Sequence, residues 1–220
     1  MPDSKISLTC YSDVLCVWAY IAQARIDEVD RQFGEQVEVD YRFCSVFADT
    51  RHKMATTWKD RGGYDGFADH LQEDGKQFSH INLHPDIWRS SRPLSSTPAH
   101  LILKAVQKAA PEKFEPLLHH VRESFFERAL DISNANVLAQ LLDEIEIEKA
   151  PVEEMMCSGE AHALLEGDMR DKELLNVTGS PTFVLNEGRQ KLYGNVGYGV
   201  IEANIKELLK SPNAGAASWC

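Results

Sequence analysis

Cys16-Val17-Trp18-Ala19 follows the apolar run Ile6-Ser7-Leu8-Thr9-Cys10 and the tripeptide Tyr11-Ser12-Asp13, placing one cysteine where a helix should begin. Ile6, Leu8 and Cys10 alternate with polar neighbours at the period of a strand. Trp18, Ile21, Ala22, Ile26 and Val29 then recur at helical spacing, and Val37-Glu38-Val39-Asp40-Tyr41-Arg42-Phe43 returns to period two. The first 45 residues therefore read as a βαβ unit with two parallel strands. A sulfur at this helix start sits among unpaired N–H groups at the positive end of the helix dipole, which favours the thiolate, while Asp13 opposes the effect. The position predicts a partly lowered thiol pKa and a nucleophile at Cys16.

From about Ala48 to Asn176 the pattern is loop plus helices. A helix over 99–109 follows the start signal Ser95-Ser96-Thr97-Pro98. Others are expected at 114–129, on Phe114, Leu117, Leu118, Val121, Phe125 and Phe126, at 134–145, and as one or two segments within 152–175. Strand chemistry then returns in Thr182-Phe183-Val184-Leu185, the turn Asn186-Glu187-Gly188 and Gln190-Lys191-Leu192-Tyr193, a hairpin. A last helix is expected over 198–209, with Val200, Ile201, Ile205, Leu208 and Leu209 on one side.

The chain has 220 residues and a net charge of -11, which argues against nucleic acid or an anionic membrane as the main partner. Its N-terminus lacks an apolar signal-peptide core, and no stretch approaches a membrane-spanning length. Cys10, Cys16, Cys44, Cys157 and Cys220 are scattered and odd in number, a poor disulfide framework, so a reducing, cytoplasmic setting is expected. Cys10, Cys44 and Cys157 read as core thiols. His80 and His84 with Asp86 fit metal spacing only loosely, and no metal is expected.

The order βαβ, helical insertion, ββα, with Ser12-Asp13-Val14-Leu15-Cys16-Val17-Trp18-Ala19-Tyr20, Ala99-His100, Phe125-Phe126, Asp131-Ile132-Ser133 and Val177-Thr178-Gly179-Ser180-Pro181-Thr182-Phe183, resembles the thioredoxin fold. More narrowly it is similar to the DsbA-like family that includes FrnE-type proteins, kappa-class glutathione transferases and 2-hydroxychromene-2-carboxylate isomerases. The fold class implied is α/β: a central mixed sheet built from residues 1–47 and 176–210, a helical insertion over 48–175, and a flexible tail over 211–220. FrnE-type members carry Cys-Pro-Trp-Cys where this chain has Val17 and Ala19 at the second and fourth places, which excludes dithiol cycling within the motif. The transferases and isomerases usually have serine at the Cys16 position.

The resemblance implies a cis Pro181 beside the active sulfur, with the Ser180 backbone free to pair with a peptide or glutathione as an added strand. It places glutathione against Ser12, Trp18, Ser180 and the turn carrying Asn195 and Val196, the last two at its γ-glutamyl end, with a plain helix cap as the alternative reading of that turn. The basic and aromatic segment from Arg51-His52-Lys53 to Trp58-Lys59-Asp60-Arg61-Gly62-Gly63 reads either as a carboxylate seat, with Lys53 its bearer, or as a plain solvated loop. His100, near Arg92, reads as cleft wall or satisfied core histidine. Cys220, beside Trp219, is a candidate resolving thiol. Three functions follow as expectations: a cytoplasmic monothiol thiol–disulfide oxidoreductase using glutathione; a glutathione-dependent transferase or isomerase; or a non-catalytic binding protein. The apolar insertion helices suggest a homodimer.

Overall fold

A computed structural model describes residues 5–210. The alternating N-terminal segments form β1 (Ile6–Ser12) and β2 (Val37–Phe43), parallel with Cys10 opposite Tyr41, and α1 (Val17–Phe33) connects them. α1 buries Tyr20, Ile21, Ile26, Val29 and Phe33, its helical-period stripe. The C-terminal hairpin supplies β3 (Thr182–Leu185) and β4 (Gln190–Tyr193). β3 pairs antiparallel with β1, Phe183 opposite Cys10, and the sheet order is β2-β1-β3-β4. All four residues of β3 are buried, as a central strand requires, whereas edge strand β4 buries none.

The intervening segment forms α2 (Thr50–Thr56), α3 (Gly63–Gly75), α4 (Thr97–Ala109), α5 (Phe114–Phe126), α6 (Ala135–Glu144), α7 (Lys149–Cys157) and α8 (Glu160–Leu174), before the final α9 (Tyr198–Lys210). α5 stops three residues before the predicted end, because the chain leaves the helix through Ala129 at φ 52°. The N–H groups of Ala129 and Leu130 bond back to Phe125 and Ser124. One hydrophobic core joins Leu8, Phe43 and Phe183 of the sheet to Leu117 and Leu141 of the insertion.

Two features anchor the insertion to the sheet. Lys104 on α4 and Asp168 on α8 form a buried ion pair at 3.0 Å, and Asp168 also accepts the Phe43 N–H at the end of β2, at 2.9 Å. Lys104→Met would leave that carboxylate buried without its cation, and we expect a loss of about 3 kcal/mol in denaturant unfolding; an unchanged midpoint would refute the assignment. The second is an aromatic cluster in which Trp88 packs on Phe47, Phe67 and Phe125 with ring centroids 5.5, 5.4 and 5.1 Å away. It holds α3 against α5 and the segment that follows β2.

Cys10 and Cys44 are core thiols, but Cys157 is not: it is the last residue of α7 and is exposed. Its neighbours Met155 and Met156 half-bury instead. Helix phase, which composition does not reveal, decides this.

Candidate active site

Cys16 occupies the N-cap of α1 in extended backbone, one residue before the first helical turn. Its sulfur lies 3.3 Å from the Ser180 carbonyl oxygen, to which the thiol donates, and the Ser180–Pro181 bond is cis. The Ser180 hydroxyl accepts the Asp13 N–H at 2.9 Å, so both sides of Ser180 are tied to the cysteine loop. The sulfur is nearly enclosed, with Cys16 6% exposed. Burial pushes the thiol above its ordinary value and the nearby Asp13 charge adds to this, while the Ser180 hydroxyl and the N–H groups of Ala19 and Trp18 pull it down without prevailing. The lowered pKa expected from the helix start is therefore corrected: removing an anion from water outweighs the N-terminal donors.

The loop that carries Cys16 rests on two buried groups. Asp13 accepts N–H bonds from Leu15 (3.0 Å) and Phe47 (2.8 Å) and the Ser96 hydroxyl (2.9 Å), joining the loop to the chain after β2 and to the start of α4. Burial pushes its carboxyl up to about 6 against those donors. His100 accepts the Val14 N–H at 3.2 Å and stacks on Phe43 at 4.5 Å. Burial, with the charges of Arg122 and Lys104, holds its imidazole down at about 3, so it is a neutral acceptor and its 3.8 Å approach to Asp13 is not an ion pair. His100 is thus the satisfied core histidine of the two readings. Arg92 is occupied elsewhere, donating to the Trp88 carbonyl and lying over the Tyr64 ring.

Cys16 opens onto a cavity of about 280 Å³, small for a ligand pocket. Trp18, Lys53, Trp58, Phe67, His70, Asp74, Ser180 and Tyr193 are among its walls. Of the predicted basic segment, Lys53 and Trp58 reach this cavity; Arg61 lies over the Trp58 ring at 3.7 Å, and Arg51 and His52 are exposed. Gly179 lets the Tyr193 ring lie close: a Cβ there would come within 2.7 Å of the Tyr193 hydroxyl and push that side chain aside. His80 meets the Ile21 carbonyl and His84 accepts the Asp86 N–H. Among the described residues no three His, Cys, Asp or Glu side chains gather as a metal site.

A family model of the DsbA-like thioredoxin domain matches residues 7–206. The chain belongs to the DsbA-like thioredoxin family. No curated protein matches it. Among solved structures it is similar to a probable DsbA oxidoreductase from Streptomyces coelicolor, at TM-score 0.75 and 18% identity, covering 98% of this chain and 94% of the other. The cytosolic disulfide reductase DsbM from Pseudomonas aeruginosa, in a structure with GSH, matches at TM-score 0.67 and 18% identity over 94% and 98% of the two chains. A 2-hydroxychromene-2-carboxylate isomerase matches at 0.67 and 14% over 94% and 97%.

In this DsbA-like chain, Ala19 takes the fourth place of the motif and is 3% exposed, packed in the core. Ser12, expected at glutathione, is corrected: it is 1% exposed, and its hydroxyl accepts from Arg122 at 2.8 Å. The strand end turns that side chain inward. Asn195 and Val196 are not brought to the Cys16 cavity; Arg25 takes the Asn195 side-chain oxygen at 2.6 Å and the Val196 carbonyl at 2.9 Å, fastening the turn to α1. Cys220 and the tail lie outside the described residues. Sequence reasoning missed Asp13 as an acceptor hub, Arg122 as a buried cation bonded to Gln23 and Ser12, and the His70–Asp74 pair. A polar residue on an amphipathic helix gives no sign of burial; only the spacing of Phe67, His70, Leu71 and Asp74 on one helical face was available.

Proposed function

We propose that the protein catalyses thiol–disulfide exchange as a monothiol enzyme through Cys16, with glutathione as its co-reactant, in a reducing, cytoplasmic setting. The observation that carries this reading is the 3.3 Å approach of the Cys16 sulfur to the Ser180 carbonyl beside cis Pro181, at the start of α1. A peptide or glutathione backbone lying along Ser180 as an added strand donates to that carbonyl and brings its own sulfur to Cys16. Trp18 supplies an apolar wall, and Lys53, whose ammonium lies over the Phe47 ring at 4.8 Å, is the cation for a substrate carboxylate. Cys16 attacks a disulfide, keeps one half as a mixed disulfide and releases the other as a thiol. A second thiol, from glutathione or from Cys220, then resolves the adduct; Cys10 and Cys44 are buried and Ala19 offers no sulfur.

The similarity to the cytosolic disulfide reductase DsbM, seen in a structure with GSH, supports the glutathione and reducing-compartment parts of this reading. A second reading draws on the burial of the thiol, which favours its protonated form. There Cys16, like the serine of a transferase or isomerase, would donate to a bound glutathione thiolate without a covalent link. Intact-mass spectrometry after incubation with oxidised glutathione separates the two. Exchange predicts one glutathionyl group on Cys16; unmodified protein that retains thiolate absorbance with glutathione supports transfer and overturns exchange.

A further inference from the structure

The buried thiol lacks an evident base. Both oxygens of Asp13 are committed to Leu15, Phe47 and Ser96, and His100 is spent on Val14. The wall of the Cys16 cavity also includes Phe67, His70, Leu71 and Asp74 of α3, one helical face at i, i+3, i+4 and i+7. The His70 Nε2 stands 3.3 Å from the Asp74 Oδ2, and the ring packs on Trp58 at 5.2 Å. That oxygen is buried and has no aligned donor, and the His70 ring is the nearest group able to serve it. The other charged or titratable groups around His70 are Lys53 on α2, Cys16 at the head of α1, Tyr193 on β4 and Arg61 over the Trp58 ring. Of the groups lining the cavity, histidine is the one whose ordinary pKa lets it both take and return a proton near neutral pH.

We infer that His70, held by Asp74, is the acid–base group for sulfur chemistry at Cys16. The inference rests on the exchange reading above. As the Cys16 sulfur bonds to one sulfur of a disulfide lying in the cavity, His70 takes the thiol proton. The S–S bond breaks, its electron pair leaves on the second sulfur, and the imidazolium returns the proton to that thiolate. One thiol and one disulfide become one mixed disulfide and one thiol, with nothing else consumed. Asp74 is a positioning residue, orienting the ring and stabilising its charged form.

The test is the single-turnover reaction of Cys16 with dithiodipyridine as a function of pH, on a Cys157→Ser, Cys220→Ser background that removes the exposed and terminal thiols. The parent rate is expected to show an inflection in the imidazole range. His70→Asn should abolish that inflection and slow the reaction at neutral pH by about 10²-fold or more, converge on the parent rate in strong alkali, and be partly restored by added imidazole. Asp74→Asn should move the inflection to lower pH with a smaller loss in rate. A parent profile without the inflection, or one that His70→Asn leaves unchanged, overturns the inference. Should His70→Asn fail to fold, the parent inflection and its shift in Asp74→Asn decide the matter. Failure of the exchange reading is separately visible: no glutathionyl adduct forms on Cys16, while the pH profile with dithiodipyridine is still read.

Discussion

Cys16→Ser is expected to lower exchange with oxidised glutathione by about 10³-fold or more, to the solution background, because removing the nucleophile of a covalent mechanism removes the step itself. A serine hydroxyl is too weakly acidic to attack a disulfide here, where burial already disfavours the anion of a thiol. The fold should tolerate the change, since the hydroxyl can donate to the Ser180 carbonyl as the thiol does. Glutathione affinity, followed through the fluorescence of Trp18 and Trp58 in the cavity wall, should change little. Turnover that survives the substitution would sink the exchange reading and point to transfer or isomerisation.

Asp13→Ala should be the most damaging single change to the fold near the site. It leaves the Leu15 and Phe47 N–H groups and the Ser96 hydroxyl without their acceptor in a fully buried place. Each orphaned donor costs about 1–3 kcal/mol, and relief of the buried charge offsets part of this. A net loss of roughly 4–5 kcal/mol is expected, seen in a chain of this size as a fall of about 10–15 °C in Tm. A shift of only a degree or two would show that the three donors find other partners.

Asp13 also leaves a signature in pH. Folding raises its carboxyl from 3.8 to about 6, so its contribution is fully present below the lower value and is lost as pH rises through the upper one. His100, lowered from 6.5 to about 3, acts in the opposite sense: its contribution is present above the upper value and lost as pH falls. The two slopes oppose each other between pH 4 and 6, so total stability hides both. The stability of the wild type minus that of Asp13→Asn isolates the aspartate, and should fall by roughly 2–3 kcal/mol across that window. A difference that rises with pH would refute the assignment.

These effects belong to residues whose roles differ in how far the sequence displayed them. The position of Cys16 was legible because strand alternation on Ile6, Leu8 and Cys10 stops just before a helical stripe begins at Trp18. The hairpin was legible from Thr182-Phe183-Val184-Leu185 and its turn, although that turn is a single helical one in which Asn186 and Glu187 take positive φ. Ser12 was placed at glutathione by the family resemblance, while Arg122, 110 residues away, holds its hydroxyl in the core. His70 and Asp74 share a face that could be drawn from spacing alone, but nothing in the chain told which way that face turns.

The sequence by itself determined the DsbA-like frame, the N-cap place of Cys16, the proline beside it and the absence of a second thiol in the motif, because periodicity, caps and turn residues act over a few positions. The tertiary structure alone decided that Cys16 is a buried thiol held above its ordinary pKa, that Asp13 and His100 support its loop, and that His70 lines the same cavity. Burial and charge at a point are sums over everything packed there, and the contributors come from β2, α3, α4, α5 and the Ser180 loop, which local pattern cannot bring together.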